Sequence, residues 1–263
     1  LRYVNIQNSS VMMDAFIIFL LVCIFLYSLC GGKIPWQRAN NKLLYISLVW
    51  MIYVFFELFN PSAVIEAWVY TRNSFYNFTL LVLLTSLLLS RVLDIKRILF
   101  LLSIFTLIAI AKALIQRYIG FDAGENAWLI RSESYKTHLL PSGIRYFSIF
   151  SDAGNFGSNM GMAAVVFMIL SFYMSNKKLR YYYRFVSLFA AYGLIMSGTR
   201  GAMIVPLGGL AMFILLNKNV RYIVGGAICL LFIYIFFAQT HIWDSNRQIH
   251  RMRTAFHPEK DAS

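Results

Sequence analysis

Charge is scarce in this sequence. Only 13% of its 263 residues are charged and 59% are hydrophobic, whereas a soluble domain carries about 25% charged residues. So few charges cannot cover a water-exposed surface, which excludes an ordinary soluble protein. A mean hydropathy of +0.64 supports the same conclusion. The chain is therefore predicted to lie in a membrane.

Cysteine is rare, and the common catalytic motifs are missing. The three cysteines, Cys23, Cys30 and Cys229, lie in apolar runs, at spacings that suit neither a disulfide framework nor a metal site. The sequence has no glycine-rich phosphate loop, no nucleophile elbow and no acid pair for a metal. We therefore expect chemistry that uses no metal and no other cofactor.

Eight apolar segments have about the length that a helix needs to cross a bilayer. That length is about 20 residues, within a range of about 17 to 25. The segments show no period-2 alternation, which favours helices over a barrel. We predict an all-α, polytopic transmembrane fold that forms one domain over 1–263 and is a piece of a longer protein. The predicted spans are 11–30, 43–59, 75–90, 98–117, 156–175, 182–197, 202–217 and 222–238.

The basic residues predict the orientation of these spans. Twelve lysines and arginines lie on alternate connections, and the intervening short connections hold only Arg2, Arg72 and Arg200. By the positive-inside rule the twelve face the cytoplasm. Most of the net charge of +13 is then a topology signal, and nucleic acid is not an expected partner. The loop 118–155 and the tail 239–263 become extracytoplasmic. The twelve lie in 31–42, 91–97, 176–184 and 217–221.

Arg200 is the first candidate for a functional residue, because it lies in a short outer connection between two apolar spans. The start of the next helix offers backbone N–H groups and a positive dipole end, which favour an anion. The guanidinium adds a planar fork of donors suited to phosphate. Ser197 and Thr199 can hydrogen-bond a substrate, and Gly201 lets it approach the backbone. An arginine that only snorkels to lipid headgroups is the alternative.

A second candidate cluster lies at the start of the fifth predicted span. Arg145 precedes this helix in the outer loop, and Ser151 and Asp152 are both good N-caps for it. Asn155 follows within the first turn, near the membrane surface. Gly157 and Gly161 form a GxxxG pattern that allows close packing on a neighbouring helix. We include Arg145, Asp152 and Asn155 in the candidate site, with capping as the alternative role of Asp152.

Other charged residues have simpler explanations. Glu57, Lys112 and Arg117 lie near span ends, where snorkelling explains them as well as function does. The segment 124–138 mixes both signs of charge and includes His138, as a solvated loop does. The basic tail 239–263 either faces anionic lipid heads or is an ordinary basic loop.

Three stretches resemble the O-antigen ligase and polymerase superfamily. "SGTRGAMIVPLGGL", 197–210, is similar to that family's arginine-bearing S-x-x-R-G-A segment. "IRYFSIFSDAGNFGSNMGMA", 144–163, resembles its preceding stretch, in which an arginine is followed by an aromatic residue, an acid and an asparagine at the head of a helix. "RMRTAFHPEKDAS", 251–263, resembles the start of its large periplasmic loop. The likeness is close over 143–210 and diffuse elsewhere.

The resemblance implies a membrane glycosyltransferase with a GT-C-like fold and an O-antigen ligase-related core over 143–238. Such enzymes lie in the bacterial inner membrane and take a glycan from undecaprenyl pyrophosphate at the periplasmic face without metal. Arg200 and Arg145 would then be the catalytic arginines, with Ser197, Thr199, Gly201, Asp152 and Asn155 binding substrate. A further arginine and the histidine that activates the acceptor are expected after Ser263, so this part of the chain alone is expected to be inactive.

Three classes of function therefore stay open at the level of sequence, the third being a non-catalytic membrane scaffold, which would need no arginine-bearing hairpin. The favoured one is a transferase that passes the glycan to the lipid A core, and a polymerase that passes it to another repeat unit shares the same arginine motif. The second is a transporter that binds polyprenyl pyrophosphate without chemistry, although the broken helices or repeats typical of such proteins are not found in the sequence. Membrane lipids are expected neighbours in every case.

Overall fold

The structure, a computed structural model, describes residues 9–62, 64, 76–89, 91–140, 143–217, 220–240 and 247–253. Two compact units make up the chain, residues 1–98 and 99–263. That both belong to one transmembrane domain stays a prediction. Of the predicted tail 239–263, positions 241–246 and 254–263 lie outside the described residues, as do Arg2, Arg72 and Lys218.

The described part of the first unit is helical. Apolar residues fill its long helices almost without interruption, and Asn41 caps one of them by accepting a hydrogen bond from Leu44 N–H at 2.9 Å. The helices are α1 (Ser9–Leu29), α2 (Lys42–Phe56) and α3 (Tyr76–Leu88), with 3-10 turns at Trp36–Ala39 and Glu57–Phe59.

The second unit holds the remaining helices and one small hairpin of strands. Helix α4 (Val92–Tyr118) enters it from the first unit. The order continues with α5 (Ala123–Arg131), α6 (Tyr135–His138), β1 (Leu139–Leu140), β2 (Gly143–Ile144), α7 (Ala153–Tyr173), α8 (Lys177–Ser197), a 3-10 turn at Arg200–Met203, α9 (Ile204–Leu216), α10 (Val220–Ala238) and α11 (Arg247–Arg253). The two strands pair antiparallel, with Leu139 opposite Ile144.

Each of the eight predicted spans coincides with a helix, and this confirms the all-α prediction within the part of the chain described. Three of the described helical segments are long and apolar enough to cross a membrane, namely Lys42–Phe59, Val92–Tyr118 and Ala153–Tyr173. The prediction of eight crossings is therefore supported only in part, by these three segments. Shorter apolar helices, such as Tyr76–Leu88, account for part of the difference.

Polar side chains join the helices of the first unit. Its apolar core contains Ile17 and Leu84, from α1 and α3. Thr79 Oγ1 donates to the backbone oxygen of Ser47 at 3.1 Å, and Asn41 Nδ2 donates to Ser86 Oγ at 3.0 Å. Interhelical hydrogen bonds of this kind contribute about 0.6 kcal/mol each inside a bilayer.

Two glycines on α7 bring the helical hairpin α8–α9 against it. A Cβ added at Gly157 would clash with Ser197 Oγ and lie 2.9 Å from Ala202 Cβ, and one at Gly161 would lie 2.8 Å from Pro206 Cδ. Only hydrogen fits at these two positions, so the GxxxG pattern predicted for close packing serves that purpose. The connection between α8 and α9, which carries Arg200, is therefore fixed against the start of α7.

This packing predicts the effect of adding one methyl group. Gly157→Ala should destabilise the protein by about 1–3 kcal/mol, because the methyl group overpacks the contact with Ser197 and Ala202. Thermal unfolding of the detergent-solubilised protein measures the change. Gly208→Ala on α9 is the matched control, since a Cβ there meets nothing within 4 Å. A Gly157→Ala protein as stable as the control variant would contradict the packing.

Candidate functional site

The connection between α8 and α9 is built around a left-handed glycine. Gly198 ends α8 with φ 57°, a conformation that a residue with a side chain rarely adopts. The chain then extends at Thr199 and enters the 3-10 turn that begins at Arg200. The sequence predicts that a helix opens at Gly201. The structure places this tighter turn first, and its Ala202 N–H already donates to Thr199 O at 3.2 Å.

Ser197 and Thr199 play different roles in this connection. Ser197 is fully buried, its hydroxyl donates to Leu194 O at 2.7 Å, and it accepts from Thr199 N–H at 3.2 Å. This differs from the prediction that Ser197 contacts substrate, because its hydroxyl is used to stabilise the turn. Thr199 is half-buried, and Gly201 is exposed with open space around it, so both remain accessible to a ligand.

Arg145 reaches this connection from a separate part of the chain. It follows β2, and its Nη2 donates to Thr199 Oγ1 at 2.9 Å while its Nη1 donates to Thr137 O at 3.2 Å. Its Nε is buried and has no hydrogen-bond partner in the described chain. Arg145 and Arg200 are both half-buried. Two elements far apart in sequence thus bring two guanidinium groups to one place.

The two arginines influence each other electrostatically. Burial lowers the pKa of the Arg145 guanidinium below its ordinary value, and the positive charge of Arg200 lowers this pKa further, while the carboxylate of Asp152 opposes both effects. The residue stays protonated, because an arginine pKa lies far above physiological pH. The lowered pKa thus reflects the partial burial of the Arg145 guanidinium beside a second cation, Arg200. Such a pair favours a bound anion.

Asp152 and Asn155 form the capped start of α7. Asp152 accepts from Asn155 N–H at 2.9 Å as the N-cap, and its other oxygen accepts from Asn155 Nδ2 at 2.7 Å. The predicted cap at Asp152 is therefore confirmed. Asp152 also lies close enough to Arg145 for its charge to raise that pKa. Asn155 is exposed, so it remains accessible to a ligand.

His138 fixes the segment that carries Arg145. It is buried, its Nε2 accepts from Ala153 N–H at 3.4 Å, and its Nδ1 lies 2.9 Å from Ser134 O. These contacts fit the tautomer with the proton on Nδ1, because Ser134 O can only accept and Nε2 faces an N–H donor. The backbone oxygen of His138 accepts from Arg145 N–H at 2.8 Å. The prediction that 124–138 is a solvated loop is wrong for this residue, because the ring packs against aromatic neighbours.

A buried polar network holds the segment that carries Arg145 to the end of α4. Gln116 exchanges hydrogen bonds with Ser148, accepting from Ser148 N–H at 2.9 Å and donating to Ser148 O at 3.3 Å. It also donates to the buried Glu125 at 2.7 Å. Lys112 pairs with Asp122 at 2.7 Å and with Glu125 at 3.1 Å. These ion pairs explain Lys112 better than snorkelling does.

Sequence reasoning missed this framework, although one signal for it was present. Asp122 and Glu125 have the spacing of a capping box, and the structure forms it at the start of α5. That motif predicts a helix within 118–155, a segment that the sequence analysis treats as a loop. Arg117 lies over the rings of Tyr118 and Tyr192, at 5.7 and 5.9 Å. Its guanidinium group therefore makes cation–π contacts with aromatic side chains.

The tail contributes one buried basic residue. Arg253 on α11 is 6% exposed, lies 5.5 Å over the ring of Phe236, and donates to Thr240 Oγ1 at 3.4 Å. Helix α11 packs against α8 and β2. This part of the tail is therefore packed within the second unit, whereas the sequence predicts either a segment that faces lipid heads or an ordinary basic loop.

The arrangement as a whole suits the binding of an anion by arginines. Thr199 and the exposed backbone at Gly201 supply neutral hydrogen-bonding groups beside the two guanidinium groups. Among the described residues, no group of three or more His, Cys, Asp or Glu could hold a metal ion. No family model, curated protein or solved structure matches this chain. The chemistry of the site therefore has to be inferred from its own residues.

Asp152 gives the site a test that separates charge from capping. Asp152→Asn should keep the cap, because Asn caps as well as Asp, and should bind inorganic pyrophosphate about two- to fivefold more tightly, because it removes a negative charge beside Arg145. Asp152→Ala should bind pyrophosphate as tightly as Asp152→Asn does, but it should lose about 1 kcal/mol of stability because alanine cannot cap the helix. Calorimetric titration and thermal unfolding measure the two effects. Weaker binding by Asp152→Asn would show that the carboxylate itself helps to hold the anion.

Proposed function

We propose that the protein is a membrane glycosyltransferase that moves a glycan from undecaprenyl pyrophosphate to an acceptor. The observation that carries the proposal is the convergence of Arg145 and Arg200 beside Thr199. Two half-buried arginines at the mouth of a helical hairpin suit a pyrophosphate better than a single snorkelling side chain would. The resemblance of 143–210 to O-antigen ligases and polymerases points to the same substrate.

The proposed chemistry needs little from the protein beyond charge stabilisation. A hydroxyl of the acceptor attacks the anomeric carbon of the first sugar, and the bond from that carbon to the pyrophosphate oxygen breaks. The pyrophosphate leaves with the bonding electrons, so negative charge grows next to the two guanidinium groups. Preorganised donors of this kind stabilise the transition state more than the ground state. The acceptor proton passes to a base that the family resemblance assigns to a later part of the protein.

We further propose that the protein crosses a bacterial inner membrane eight times with a GT-C-like architecture. By the positive-inside rule, Arg200 and the 118–155 segment would then lie on the periplasmic side. The lipid A core is the favoured acceptor, which makes the protein an O-antigen ligase. The tertiary framework around Arg145 supports a rigid site on that side, since buried hydrogen bonds from Gln116 and His138 hold the segment.

The proposal predicts which arginines matter for glycan transfer. Arg200→Lys and Arg145→Lys in the full-length protein should each lower transfer by about a hundredfold or more, because lysine lacks the planar fork of donors. Membrane insertion should stay intact. Surface polysaccharide of the mutant strains, run on a gel, measures the loss. Arg131→Lys is the control, since Arg131 is exposed at the end of α5 in the same segment. Normal surface polysaccharide in the Arg200→Lys strain would refute the pyrophosphate site.

Deletion of the gene distinguishes the two transferase reactions. If the protein is a ligase, the deletion strain should show bare lipid A core and should accumulate lipid-linked polymer. A core that carries a single repeat unit would instead assign the polymerase reaction. Unchanged lipopolysaccharide would contradict both assignments.

A further inference from the structure

An apolar groove runs along the second unit between α4 and α7. It has a volume of about 320 Å³. One wall is formed by α4 residues such as Leu102 and Phe105, and the other by α7 residues such as Met162 and Val166. Ile149 and Phe150 also line it. Its α7 wall extends from Asn159 to Phe167, or about 12 Å along the helix.

The groove has the chemistry of a site for hydrocarbon. Both of its walls belong to helices that are long and apolar enough to cross a membrane. Nearly all of its lining is apolar, and the hydroxyl of Thr106 is already used, since it donates to Leu102 O at 2.8 Å. Flexible thioethers, here Met160 and Met162, adapt to irregular chains. A water-soluble ligand would find few polar partners in it.

One end of the groove leads toward the arginine pair. Asn159 lines this end, and its Nδ2 donates to Asn155 O at 2.9 Å. Asn155 in turn donates to Asp152 at 2.7 Å, and the charge of Asp152 acts on Arg145. A short ladder of polar groups on α7 thus joins the apolar groove to the cationic site. This is the arrangement that an amphiphile with an anionic head and a long chain requires.

We infer that the groove between α4 and α7 binds the hydrocarbon chain of the lipid whose anionic head lies at Arg145 and Arg200. The inference rests on the proposed function, which assigns the head as a pyrophosphate and the chain as a polyprenyl chain. It adds that the protein binds the lipid at two places, the arginine pair and the groove. The chain then contributes affinity independently of the head. Bulk phospholipid is the competing occupant.

Bulky substitutions in the groove test the inference. Equilibrium binding of undecaprenyl phosphate and of inorganic pyrophosphate is measured on the full-length protein in detergent. Val166→Trp fills the groove from α7 and should weaken binding of undecaprenyl phosphate about tenfold. Each buried methylene of the chain contributes roughly a factor of four to affinity. Excluding about two methylenes from the groove therefore accounts for the tenfold loss. Pyrophosphate binding should not change. Leu188→Trp is the control, because Leu188 is 64% exposed on α8 and does not line the groove.

A second variant protects the test against misfolding. Leu102→Trp fills the same groove from α4, where Leu102 is 49% exposed, and should give the same selective loss. Binding of undecaprenyl phosphate at wild-type strength by both variants would overturn the inference and assign the groove to bulk phospholipid. A separate result would refute the proposed function. If it is wrong, Arg145→Gln and Arg200→Gln leave pyrophosphate binding unchanged, whatever the groove variants do.

Discussion

The close contact between α7 and the α8–α9 hairpin is the constraint on which the candidate site depends. Gly157 and Gly161 present only hydrogen to Ser197, Ala202 and Pro206. Because helix backbones can approach this closely only without side chains between them, the connection that carries Arg200 lies directly against the first turns of α7. Asp152 caps those turns, and Arg145 precedes them. Without this contact the two arginines would belong to unrelated surfaces.

A second layer of hydrogen bonds keeps Arg145 in place. The ring of His138 accepts from the first N–H of α7, and its backbone oxygen accepts from Arg145 N–H. Gln116 holds Ser148 to the end of α4, next to the ion pairs of Lys112. Buried polar groups cost free energy unless they are satisfied, so these interactions define one conformation of the segment that carries Arg145. That rigidity is what an anion site needs, since flexible donors would lose entropy on binding.

The candidate site and the apolar groove are linked through α7. One face of this helix packs on the hairpin through glycines, and another forms a wall of the groove. Its N-terminal turn carries Asp152 and Asn155, which lie between the cationic site and the apolar groove. A lipid-linked substrate would therefore contact a single helix along both its head and its chain. The position of the chain on α7 would then help to fix the position of the head, which suits a reaction at the membrane surface.

The sequence by itself determined the all-α class, the positions of the eight helices, the cap at Asp152 and the pairing of Arg145 with Arg200 as candidates. These follow from local patterns, because hydropathy, capping and charge act over neighbouring residues. It did not predict the buried His138, the Gln116–Ser148 bonds, the docking of Arg253 or the burial of Ser197. Each of these depends on contacts between segments far apart in the chain, and the energy of such contacts is set by packing. Only the tertiary structure decided which polar residues are buried in the framework and which stay accessible, because burial is a property of the assembled helices and of no single segment.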